Sequence, residues 1–181
     1  MNQIAQQLKE RNIAEYLIYM WQEEDLIRAN HCEPEEMEVN VISRYPEEQR
    51  SGMREWYGNL ITMMNEEGVR EAGHLQINKN VIINLTELHN ALASSPKFPF
   101  YSAAYFKALP FIVELRNKNG KKDEPELETC FEALYGVLLL RLQRKPISEG
   151  TAKAMEAITS FLSMLANYYD KDRKGELKLD E

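Results

Sequence analysis

Residues 12–30 read NIAEYLIYMWQEEDLIRAN. On a helix, Ile13, Leu17, Met20, Glu24 and Ile27 recur at steps of four and three, so they share one stripe. Four of them are apolar and Glu24 is not. A carboxylate on such a stripe must be paired, protonated or reached by water. The period makes this segment an amphipathic helix. Asn12 suits its N-cap, with Glu15 three residues on in a capping-box pattern.

The same period extends outward along the chain. Residues 1–10 are weakly helical and lead into this helix. Pro34 suits the first turn of a short helix, PEEMEVNVI, and Pro46 opens the next in the same way. That third helix carries Met53, Trp56, Tyr57, Leu60, Ile61 and Met64, and weakens toward Gly68 and Gly73. A further helix holds Val81, Leu85, Leu88 and Leu92 and stops near Ser94-Ser95-Pro96. In FYSAAYFKALPFIVELR, residues 100–116, Pro110 removes a backbone donor and is expected to kink or divide the helix.

The clearest loop is NKNGKKDE, residues 117–124. Beyond it, Asp123, Pro125 and Glu126 start a helix that contains Leu127, Phe131, Leu134, Leu138 and Leu142. Val137 to Leu140 are apolar on every side, which predicts a central helix. Ser148 is placed to cap the last helix, whose inner face is Met155, Ile158, Phe161, Leu162 and Leu165. The expected fold is all-α: a single-domain antiparallel bundle of about six helices over residues 1–170, with a polar tail at 171–181. Short connections favour antiparallel neighbours.

A chain of 181 residues is long enough to bury a sizeable core as one domain. With 8 Gly and 7 Pro, turns are few, which again favours long helices. The net charge of −7 argues against nucleic-acid binding, where Lys and Arg neutralise phosphates. No apolar run approaches the roughly 20 residues that cross a bilayer, and MNQIAQQLKER lacks a signal-peptide core. The expectation is a cytoplasmic protein with no membrane partner, in which Cys32 and Cys130 are free thiols. No CxxC or Cys/His spacing supports zinc.

Glu24 is the leading candidate for a site. One reading is a buried anion that binds a ligand, with Arg28, Arg54 and Tyr57 as further polar contacts. The other is structural: Arg28 lies four residues on, in the favourable order for an intrahelical pair. Arg54, Tyr16 and Tyr57 would also satisfy it if the two helices pack together. Structural pairs are the commoner case. The aromatics Tyr16, Tyr19, Trp21, Trp56 and Tyr57 line either a pocket or, more often, a core.

Other motifs carry less. Glu71-Ala72-Gly73-His74 is a Glu-x-x-His match, but a di-iron bundle needs two such motifs. His31, His74 and His89 have no metal-ligand spacing, so no metal or cofactor is expected. DKDRKGELKLDE, residues 170–181, fits much of an EF-hand loop, but Lys174 stands at the fifth position and repels Ca²⁺. There is no GxSxG and no glycine-rich phosphate loop, so no catalytic residue is assigned, although sites in bundles are assembled from distant helices.

The segment from Asn12 to Arg28 resembles the start of an uncharacterised all-helical family, a domain of unknown function found mainly in Bacteroidetes. The resemblance implies a stand-alone bacterial cytosolic domain and brings no activity with it. Together these readings point to a non-catalytic binding or interaction protein. Its groove would be aromatic and acidic, near the helices of Glu24 and Tyr57, and it would serve a protein partner or self-association. The alternative is an enzyme or small-ligand protein with a site inside the bundle around Glu24, Arg28 and Arg54.

Overall fold

The computed structural model describes residues 2–179. They form eight α-helices: α1 (Gln3–Arg11), α2 (Ile13–Ala29), α3 (Pro34–Asn40), α4 (Glu47–Glu66), α5 (Gln76–Ser94), α6 (Pro99–Asn119), α7 (Glu126–Leu142) and α8 (Glu149–Arg173). A 3₁₀ turn, Ile42–Arg44, follows α3. There is no strand among the described residues. The class is therefore all-α, but the count is eight rather than about six.

Asn12 explains one of the additional helices. Its extended backbone (φ −156°, ψ 105°) ends α1, while its side chain accepts the N–H groups of Ala14 and Glu15 and starts α2. One residue closes one helix and opens the next. Its own amide nitrogen donates to the Glu15 carboxylate at 3.3 Å, a side-chain variant of the expected capping box. Pro34 likewise separates α3 from α2 by occupying its first turn.

The chain divides into two compact units, Met1–Val81 and Ile82–Glu181, with the boundary inside α5. In the first unit α1 packs on α2, and α4 packs on both α2 and α3. Leu17, Trp21, Ile27, Tyr57 and Met64 are fully buried there. In the second unit α6 packs chiefly on α8, and α7 touches both. Phe98 meets Tyr168, and Tyr105 meets Phe161, so α6 and α8 run in opposite directions.

Two expectations about the second unit change. Pro110 does not divide α6, which is one helix from Pro99 to Asn119. Pro110 and Phe106 are both exposed, so water can reach the Phe106 carbonyl that loses its donor. Gly120 then ends α6 in the left-handed region (φ 70°), where a side chain is strained. Helix α7 is not enclosed on every side. Leu138, Leu139 and Leu140 are only half-buried, and Leu142 is 67% exposed.

Ser148 caps α8 as expected, accepting the Thr151 N–H at 3.1 Å. That helix continues through Arg173, so the first residues of the EF-hand-like stretch are helical. Asp170 is paired with Lys174 at 2.6 Å, which holds its carboxyl below the usual carboxylate range. Cations of the chain already occupy the first calcium position. The twelfth position, Glu181, lies outside the described residues. Cys32 and Cys130 are free and buried. Among the described residues no helix is long and apolar enough to cross a membrane.

Candidate functional site

Glu24 is 0% exposed, as its place on the apolar stripe requires. Its partners come from the α4–α5 connection and the first turn of α5. Oε2 is bonded to Nδ1 of His74 at 2.6 Å. Oε1 accepts the Leu75 N–H at 2.9 Å and the Asn78 amide at 2.7 Å. Leu75 immediately precedes α5, so the carboxylate sits at a helix N-terminus. There orphan N–H groups and the helix dipole favour negative charge. The anomaly of the sequence is thus a helix cap supplied from another helix.

The connection is built to reach it. Gly68 and Gly73 adopt positive φ (69° and 88°), which lets the chain turn back onto α2. Trp21 stacks on the His74 ring at 4.0 Å with an 11° interplanar angle. Glu24 fixes the ring from one side and Trp21 from one face. Two valences of the network have no partner among the described residues: Nε2 of His74, and the buried Oδ1 of Asn78.

The other proposed site residues do not join Glu24. Arg28 pairs with Asp25 at 2.9 Å and donates to the carbonyls of Val69, at 3.1 Å, and Gly73. It therefore holds the same connection as Glu24 without touching Glu24. The expected intrahelical Glu24–Arg28 pair is not formed, because α2 turns both side chains onto backbone and polar groups of one loop. Arg54 is exposed and forms a two-pronged pair with Glu38, at 2.7 and 2.8 Å. Tyr57 donates its hydroxyl to Glu23 at 2.7 Å.

Glu23 is the residue that sequence reasoning missed. It is 7% exposed. Burial raises its pKa above the usual carboxylate value, against the hydrogen bonds from Tyr19 and Tyr57 that lower it. Burial followed by the Glu23 charge pushes both tyrosines far above their ordinary range. Asn2 extends the network by donating to the Tyr19 hydroxyl at 2.8 Å. A signal was present: Tyr16, Met20, Glu23 and Ile27 also recur at helical steps. The two adjacent carboxylates of α2 serve two separate networks, and the aromatics of this unit are core or hydrogen-bonded to it.

The second unit has its own buried polar group. His89, on α5, is hydrogen-bonded to the Tyr101 hydroxyl at 2.7 Å and ringed by Tyr105 and Phe161. Burial lowers its pKa and keeps it neutral. Tyr105, bonded to Glu126 at 2.8 Å, is pushed up to about 12, first by burial. His31 is exposed on Glu36. Each histidine thus has its own partner.

Glu124, Glu128 and Glu132 bring carboxylate oxygens within 4.8 Å of one another, close enough to hold a cation. The Lys121 ammonium is already there, 2.8 Å from Glu124 and 2.6 Å from Glu132. Two grooves of this unit lie elsewhere, one of about 440 Å³ beside Tyr169 and one of about 620 Å³ along α6, α7 and the start of α8. In the first unit a shallower groove of about 370 Å³ is lined by Leu26, Val41 and Tyr45.

No curated protein and no solved structure matches the chain. A family does, over residues 2–176, nearly the whole length. The chain belongs to the family described as a domain of unknown function, DUF4924.

Proposed function

We propose that this protein is a non-catalytic helical binding protein of the bacterial cytosol that docks a second copy of itself through the outer face of α6. One observation carries the reading. Ala103, Phe106, Pro110 and Val113 follow at steps of three, four and three, and all four face solvent. Phe106 is 64% exposed and Val113 46%. A buried aromatic anchor is the usual centre of an interface, and this one is uncovered.

The stripe is self-complementary, as a two-fold interface requires. Two α6 helices laid antiparallel about Pro110 set Phe106 against the partner's Val113. The same arrangement sets Lys107 beside the partner's Glu114, which would then be shared with its own Lys118, so charge and apolar surface match together. Antiparallel packing of neighbouring helices within each unit is part of the same reading.

Sedimentation equilibrium tests it. The wild-type chain is expected to associate reversibly, and Phe106→Asp to sediment as a monomer with a nearly unchanged urea midpoint, because Phe106 is mostly exposed and touches the interior through the Tyr105 ring. A wild-type chain that stays monomeric at about 0.1 mM, or a variant that associates as tightly, would contradict the reading.

A small-ligand site at the Glu24 network is the second reading, favoured by the two open valences at His74 and Asn78. Acetamide, which offers one donor group and one acceptor, is a suitable probe. Saturable NMR shifts confined to His74 and Asn78 support this reading, and their absence removes it.

A further inference from the structure

The groove along α6, α7 and the start of α8 encloses about 620 Å³, within the range of small-molecule sites. Its walls include Phe111, Leu115, Val137, Leu140 and Met155. On α6 these walls lie on a different face from Phe106 and Val113, since Phe111 and Val113 are two residues apart on a helix. The apolar walls of the groove and the apolar self-docking stripe are therefore separate, with Glu114 on the edge between them.

Two features suggest what the groove accepts. The first is Gly136, in the interior of α7 and in the groove wall. Glycine weakens a helix interior relative to alanine. Here no backbone turn requires it, and a Cβ built on Gly136 meets nothing within 4 Å. Packing within the chain does not explain the missing methyl. The bare backbone leaves room for something that approaches α7 closely.

The second is the charge balance of the rim. Lys118 is paired with Glu114, Lys153 with Glu149 at 3.1 Å, and Glu132 with Lys121 at 2.6 Å. No uncompensated charge faces the opening among these residues. An ionic ligand would find no unpaired charge to meet it there and would lose its own hydration, while a neutral apolar one loses only water that is poorly held.

We infer that the groove of α6, α7 and α8 is a binding site for an uncharged, largely apolar small molecule that rests on the α7 backbone at Gly136. This site does not depend on the self-docking reading.

Nile red, a neutral polarity-sensitive dye, is the probe. The wild-type chain is expected to bind one equivalent saturably with a blue-shifted emission. Gly136→Leu fills the groove and is expected to weaken binding at least about tenfold, with helicity by circular dichroism unchanged. Gly136→Ala, which suits a helix better than glycine, checks that folding survives substitution there. Phe106→Asp is expected to leave dye binding intact, which separates this site from the α6 stripe. Decanol is expected to displace the dye at least about tenfold more effectively than decanoate. The inference is overturned if wild type binds no dye, if Gly136→Leu binds it as well, if Phe106→Asp abolishes binding, or if decanoate competes equally. A change of sedimentation in Gly136→Leu would also overturn it, by showing that a second copy occupies the groove.

Discussion

Two regions of this chain, helix α2 with the connection it holds and the pair α6 and α7, treat their surplus groups in opposite ways. In the first unit, α2 carries two buried carboxylates, and each is met by donors from other parts of the unit. Glu24 holds His74, Leu75 and Asn78, while Glu23 holds Tyr57 and Tyr19. On α6 and α7 the surplus is apolar and much of it is left at the surface. Phe106, Val113 and Leu142 are exposed, and the leucines of α7 are half-covered. Buried polarity costs several kcal/mol unless satisfied, so it tends to be closed within the fold. Apolar surface has no such requirement, and a contiguous patch of it commonly marks a place where another molecule sits. The residue most conspicuous in the sequence is thus met by donors of its own unit, and the less conspicuous helices α6 and α7 carry the proposed binding.

The largest expected effect is in the closed region. Glu24→Ala leaves three donors unmade around a buried void, and is expected to cost about 3–5 kcal/mol in urea unfolding. Glu24→Gln keeps an acceptor and should cost less. A Glu24→Ala chain as stable as wild type would mean that the network is open to something else. Tyr57→Phe removes one donor from buried Glu23, and an expected loss of about 1–3 kcal/mol follows from the unmet carboxylate.

Titration sharpens the contrast, because burial favours the neutral form of one group in each unit and so moves their pKa values in opposite directions. His89 has a folded pKa below its usual 6.5. As pH falls below 6.5 the unfolded chain takes up a proton that the folded chain resists, so stability drops by up to about 1.4 kcal/mol per pH unit. Glu23 has a folded pKa above its usual 4.5. From 4.5 up to that folded pKa the unfolded chain has lost a proton that the folded chain keeps, so stability falls as pH rises. Urea midpoints against pH are expected to lose the first slope in His89→Gln and the second in Glu23→Gln. Unchanged profiles would show that neither group titrates differently on folding.

The smallest effect is expected at Arg54. Its pair with Glu38 is solvent-exposed, and such pairs are screened. Arg54→Ala should leave the urea midpoint where it is. A large loss there would reinstate Arg54 as part of a buried network.

The fold was legible wherever period and caps agreed. Asn12, Pro34, Pro46, Pro125 and Ser148 each stand where a helix starts, and Glu24 was marked as exceptional by its stripe alone. The partners of Glu24 were not legible. His74 and Asn78 lie 50 and 54 residues away, joined through a loop whose course depends on Gly68 and Gly73. Nearby Arg28 offered a local solution that is sound on an isolated helix, but loop carbonyls competed for it. The exposure of α7 was hidden for a related reason. An apolar run signals burial only when neighbouring helices suffice to cover it. Pro110 misled because a proline on the solvent side of a helix leaves a carbonyl that water satisfies.

The claim that the open region of the second unit is a docking face is tested most directly by a charge exchange on α6, read by sedimentation equilibrium. Lys107→Glu is expected to weaken self-association at least about tenfold, by setting two acids against each other across the two-fold. Adding Glu114→Lys to it is expected to restore association. A wild-type chain that never associates, or a double variant no better than Lys107→Glu, would contradict the account.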